Sequence, residues 1–211
     1  AWATANTREG IFDALARREV YATTGPRIAV RFFGGWNYEE ELLLDPNMIE
    51  KAYALGVPMG SDLTKQINSP KSPSFIVSAM KDPEGANLDR IQIVKGWINK
   101  DGSRSEKVFN VAWSDNRTMD DNTGDIPDLS STVNAAEATY TNTVGSTDLA
   151  ALWTDPSFDA NNPAVYYVRV LEIETPRWTT YDAARFGVDL PKDVPTAVKE
   201  RAYTSPIWYT P

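Results

Sequence analysis

The chain has 211 residues, 42% of them hydrophobic and 24% charged, the proportions of a globular protein with one sizeable core. Its net charge of −8 speaks against nucleic acid and anionic membrane surfaces as partners, because both need a basic footprint. It contains no Cys and no His. That removes disulfides, thiolate zinc sites, His-ligated metals and every His-dependent catalytic triad, and leaves Asp, Glu, Lys and Tyr for acid–base work.

Taken in order, the first segment reads as a helix. Asn6 is the expected N-cap, with Glu9 three residues on in a capping-box arrangement. Ile11, Phe12 and Leu15 form one apolar face, and Arg17, Arg18 and Glu19 the last turn. A lone amphipathic helix of this length is marginal in water, so it is expected to dock on something. After Gly25-Pro26 the period drops to two: Ile28, Val30 and Phe32 alternate with Arg27, Ala29 and Arg31, a strand with one wet face. Residues 37–55 read as a connection holding a short helix or two, and Gly56 to Gly60 as a turn.

Phe75–Met80 reads as a strand, followed by a turn at Asp82-Pro83-Glu84-Gly85. Ile91, Ile93 and Trp97 mark the next strand. Lys100-Asp101-Gly102-Ser103 is a hairpin signal, and Val108–Trp113 returns from it. Residues 114–136 are polar and loop-like, Ala138–Thr143 reads as a Thr-rich edge strand, and residues 165–173 form the longest β run. There Tyr166, Val168 and Val170 lie on one side, with Tyr167, Arg169 and Leu171 on the other. Residues 181–200 read as a polar excursion with a short helix at Tyr181–Phe186, and Ser205–Tyr209 as a final strand. About six to eight strands with turn punctuation and no βαβ rhythm predict a mainly β protein. The expected fold is an antiparallel β-sandwich, immunoglobulin-like or related, with an N-terminal helix and a few short helices in its connections.

Several stretches carry a resemblance to a known family. They include Asn6-Thr7-Arg8-Glu9, Tyr21-Ala22-Thr23-Thr24-Gly25-Pro26-Arg27-Ile28 and Arg31-Phe32-Phe33-Gly34-Gly35-Trp36. The run from Met80-Lys81-Asp82-Pro83-Glu84-Gly85 to Lys95-Gly96-Trp97 is another, as are Thr175-Pro176-Arg177-Trp178 and the block from Glu200-Arg201-Ala202 to Ile207-Trp208-Tyr209. End to end, these resemble the C-terminal part of a bacterial family known as domain of unknown function 3604. The resemblance implies a much longer parent, whose N-terminal part is similar to the PHP (polymerase and histidinol phosphatase) metal-dependent hydrolases. Residues 1–26 are then a helix and exit segment from that upstream barrel, and residues 27–211 the sandwich. The opening Ala1-Trp2-Ala3, without an initiator Met, fits that expectation. No metal ligand of the family maps onto this sequence. A divalent metal, and any hydrolase activity, are therefore expectations for the upstream domain, and this chain is expected to have no catalytic residues, metal or cofactor of its own.

Candidate sites follow from that picture. Arg27, with Arg8 and Arg17, lies near the expected junction, where a planar guanidinium suits an anionic substrate or an inter-domain ion pair. Arg177 and Trp178, with Trp36, Trp97 and Trp208, are candidates for an aromatic platform stacking on a sugar; the plainer reading makes strand Trp residues core. Trp178 escapes that reading because it follows Pro176 in an expected turn. Asp115, Asp120, Asp121, Asn122, Asp125 and Asp128 of the acidic loop 115–128 offer oxygen ligands for Ca²⁺, but their spacing does not fit an EF-hand, and a solvated loop is the plainer reading. Glu172/Glu174 and Asp155/Asp159 are pairs of the kind glycosidases use, and arise by chance among 29 acidic residues. Asp13 and Glu19 read as surface charges.

The function expected is a non-catalytic β-rich region that packs on and shapes an upstream active site. The alternative is an autonomous ligand-binding module, for example for carbohydrate. The expected partner is the upstream domain of the same chain, with no nucleic acid and no membrane, as a monomer or weak oligomer. The expected location is periplasmic or otherwise exported.

Overall fold

The computed structural model describes residues 1–66 and 71–211. In chain order the elements are α1 (Arg8–Ala16), β1 (Tyr21–Thr23), β2 (Ala29–Gly35), a 3₁₀ turn (Glu40–Leu44), α2 (Met48–Leu55), β3 (Gly56–Pro58) and β4 (Asp62–Thr64). Then come β5 (Ser74–Met80), β6 (Leu88–Ile98), β7 (Arg104–Trp113), β8 (Asp148–Thr154), β9 (Ala164–Pro176), α3 (Trp178–Phe186), β10 (Ala197–Thr204) and β11 (Ile207–Thr210).

The strands form two sheets. One has four strands in the order β3-β2-β5-β8, all antiparallel. The other has seven and is centred on β9, which pairs β6 along one edge and β10 and then β11 along the other. Its pairings are antiparallel except β11 with β4, which is parallel. The expected β-sandwich is therefore what the chain forms. Its core lies between the inner faces: Val30 and Phe32 of β2 with Phe75 and Val77 of β5 meet Ile91 and Ile93 of β6 and Tyr166, Val168 and Val170 of β9. Each set repeats every second residue, which places it on one face of a pleated strand. The outer face of the small sheet is covered in turn: Phe33 and Ile76 pack under Tyr38, Leu42 and Ala52 of the connection between β2 and β3.

Several local expectations are corrected. The N-cap of α1 is Thr7, whose Oγ1 accepts the Gly10 N–H at 3.1 Å, and not Asn6. With Thr7 as cap, the third helical position is Gly10, so Glu9 cannot close a capping box. Gly10 is required there, because a Cβ would come within 2.6 Å of the Ala5 carbonyl oxygen. The helix ends at Ala16, which leaves Arg17, Arg18 and Glu19 beyond it. Glu19 is buried, not on the surface: it pairs with Arg17 at 3.3 Å and Arg31 at 3.7 Å and accepts the Tyr53 hydroxyl.

The expected edge strand at 138–143 is a single bridge between Asn134 and Thr139 inside a long loop, and Ala138 has a φ of 50°, incompatible with a strand. The strands β8 and β10 arise where no strand was expected. Trp178 opens a helix instead of sitting in a turn, with Arg177 as its extended N-cap. The hairpin at 100–103 is present: Asn99 N donates to Ser103 O at 2.8 Å, and Gly102 takes a φ of 84°. Among the described residues no helix is long and apolar enough to cross a membrane.

Candidate functional site

One end of the sandwich gathers most of the unusual polar chemistry. The turn between β5 and β6 is tied together by Asp82, whose Oδ2 accepts the Arg27 backbone N–H at 2.7 Å and Nε at 3.2 Å. Its Oδ1 accepts the Glu84 N–H at 3.1 Å. These donors, the Arg27 main chain foremost, hold the Asp82 carboxyl down at about 2. Lys81 folds back over the same turn and donates to the carbonyls of Asp82 (3.0 Å) and Gly85 (2.7 Å). Arg27 therefore staples the segment between β1 and β2 to this turn. Its side chain is exposed and also approaches Glu84 at 3.6 Å.

Beside that turn lies Glu172. It stands on β9 in phase with Tyr166, Val168 and Val170, so the pleat sends it inward, and it is almost wholly buried. Its Oε1 has no hydrogen-bond partner. Burial, then the nearby Glu200 charge and to a lesser degree Asp82, push its carboxyl up to about 8, with Lys81 opposing. The group is a neutral acid at neutral pH, because a lone carboxylate in so dry a place costs more than holding the proton. Glu200 sits at the β-bulge of β10 and accepts a hydrogen bond from Thr24, so the segment between β1 and β2 touches this cluster twice. α3 follows directly from β9. Its Trp178 is 66% exposed, and Tyr181 and Phe186 are exposed with it.

Arg27, Arg177 and Trp178 thus come to the same end of the molecule. The rest of the expected aromatic platform does not join them. Trp97 and Trp208 pair with Ala164 and Val165 at the start of β9, whereas Trp178 follows its end. At about 3.3 Å per residue those ends are roughly 40 Å apart. Trp36 packs edge-on against Phe158 and Tyr209.

The other charged clusters pair internally. Asp89 is fully buried and receives Arg90 at 3.1 Å, Arg117 at 2.7 Å and Lys199 at 3.0 Å. Burial alone would raise its carboxyl, but the hydrogen bonds from Arg90 and Lys199 bring it below the usual range. Through Asp128, which pairs with Arg90 and Lys199, the same network clamps the acidic loop to the sheet. Two other loop carboxylates bind main chain: Asp120 accepts the N–H of Asn122, and Asp115 that of Gly145. Among the described residues no three acidic side chains are grouped to hold a metal ion.

Lys95 and Asp155 form a buried pair at 2.6 Å, joined by the Tyr166 hydroxyl at 2.7 Å and the Ser157 carbonyl at 2.9 Å from Lys95. Lys95 is a buried polar residue that reading by residue type missed, and Glu172 one that it named only as half of a chance carboxylate pair. Strand phase points to both: Lys95 continues Ile91 and Ile93, and Glu172 continues Val168 and Val170.

The fold and this polar end define a two-sheet scaffold with buried ion pairs and one buried carboxyl, that of Glu172, whose Oε1 has no partner. The chain belongs to the family described as "Protein of unknown function (DUF3604)", which matches it over residues 1–211. No curated protein and no solved structure matches it.

Proposed function

We propose that this chain is the non-catalytic β-rich region of a PHP-like metal-dependent hydrolase, packing on an upstream domain and shaping the edge of its active site. The observation that carries the reading is the orientation of α1. The helix turns Gly10 and Ala14 inward and leaves Ile11, Phe12 and Leu15 facing solvent, at 40%, 67% and 55% exposed. A nine-residue helix gains little stability alone, so an apolar face turned away from its own core is a surface built to be covered. The exit segment is fixed to the sandwich by Arg27–Asp82 and Thr24–Glu200, which makes α1 a rigid mount rather than a tether. Export to the periplasm belongs to the same proposal and rests on the family resemblance alone.

The test is an activity panel. The chain, incubated with Mn²⁺, Zn²⁺ or Mg²⁺ and a set of phosphate and carboxyl esters, should give only background hydrolysis. Metal-dependent turnover by the chain itself would overturn the reading.

A further inference from the structure

The hairpin of β6 and β7 forms a cleft with the start of β9 and with β11, at the end of the large sheet remote from Glu172. It measures about 420 Å³, and Ile98, Arg104, Val165, Trp208 and Thr210 line it. Its shape follows from the pleat. Ile207 and Tyr209 of β11 are buried, which leaves Trp208 on the outer face at 43% exposed. Trp208 lies opposite Val165, and Val165 opposite Gly96, so the three share one row of that face. Val165 leans over Gly96, where a Cβ would come within 3.2 Å of Val165 Cγ1, and Glu106 of β7 lies opposite Gly96 at the far end of the row. The indole therefore borders a floor made by Val165 and Gly96, and the next row places Arg104 opposite Ile98.

Size and chemistry select the occupant. The volume falls in the range of small-ligand sites, roughly 300–1,000 Å³, whereas a stable protein interface buries about 800 Å² on each side and would need far more than this corner. A flat, exposed indole presents its face to the apolar face of a sugar ring at low entropic cost. Arg104 is exposed, and among the described residues it has no carboxylate within ion-pairing distance, although the chain carries a net charge of −8. A planar guanidinium lining the same cleft as an aromatic face suits a carboxylate-bearing ring. We propose that this cleft binds an acidic saccharide, a uronic acid whose ring stacks on Trp208 and whose carboxylate pairs with Arg104, with the Thr210 hydroxyl at the rim. This site differs from the Arg177–Trp178 platform and does not depend on the docking role of α1.

Isothermal titration of the chain with a uronic-acid tetrasaccharide and with a neutral glucose tetrasaccharide, at pH 7 and low salt, tests it. The acidic sugar should bind with a Kd below about 1 mM and at least about fivefold more tightly than the neutral one. Trp208→Ala should weaken binding of the acidic sugar by about tenfold or more, and Arg104→Gln should erase the preference between the two sugars. Both side chains are exposed, so unchanged melting temperatures should confirm that the variants fold. Absence of binding by the acidic sugar, equal binding of both sugars by the parent chain, or full binding by Trp208→Ala would each overturn the proposal.

Discussion

Replacing Glu172 with Gln should stabilise the protein, and by an amount that grows with pH. In the folded chain the carboxyl is held up at about 8, against an ordinary value of 4.5. Between those values the folded state keeps the proton and the unfolded state releases it, so stability is fully present below pH 4.5 and is lost as pH rises toward 8. At 1.36 kcal/mol for each pH unit, the loss at pH 7 is about 3 kcal/mol. Gln has the same shape and carries no charge at any pH, so the variant should escape that loss. Urea unfolding at pH 5, 7 and 8.5 measures it. Parent and variant should differ by less than about 1 kcal/mol at pH 5, with the variant ahead by about 3 kcal/mol at pH 7. Parallel pH profiles, or a variant less stable than the parent at pH 8.5, would refute the burial argument.

Other outcomes follow from the same contacts. Asp155→Ala strands Lys95 in the core without its carboxylate and should cost about 3–5 kcal/mol in urea denaturation, the usual consequence of breaking a buried pair. Gly10→Ala, normally favourable in a helix, should instead destabilise by about 1–3 kcal/mol in thermal melts, because the Ala5 carbonyl occupies the space of the new Cβ. Phe12→Ser should change the stability of the chain by no more than about 0.5 kcal/mol, since its ring touches solvent and not the core. The Asp82 carboxyl, held down at about 2, contributes stability that is present above its ordinary value of 3.8 and lost as pH falls toward 2. An Asp82→Asn variant should therefore show a shallower acid limb in a pH-dependent melt.

The parts of the fold legible in the sequence are those where side-chain period alone decides. Ile28-Val30-Phe32, Ile91-Ile93 and Tyr166-Val168-Val170 each alternate cleanly, and each forms a strand on the inner face. Strands β8 and β10 were illegible for a physical reason. Leu149-Ala150-Ala151-Leu152 and Lys199-Glu200-Arg201 are good helix formers, and only pairing with β5 and β9 holds them extended. The site was half legible. Arg27 stood out beside a turn, but its partner Asp82 lies 55 residues away and no local pattern joins them. Glu172 was in view as half of a chance carboxylate pair, and its meaning lay in its phase along β9 rather than in the neighbour at Glu174. The Asp89 network joins residues 110 apart, which no reading of local sequence supplies.

The central claim is that α1 is a mount for another domain. Hydrogen exchange measured on residues 8–16 tests it most directly, comparing the chain alone with the same residues in a protein that also carries the PHP-like domain. The account predicts partial protection of this packed helix in the chain alone and markedly stronger protection, together with a buried Phe12, when that domain is present. Equal exchange in the two would contradict it.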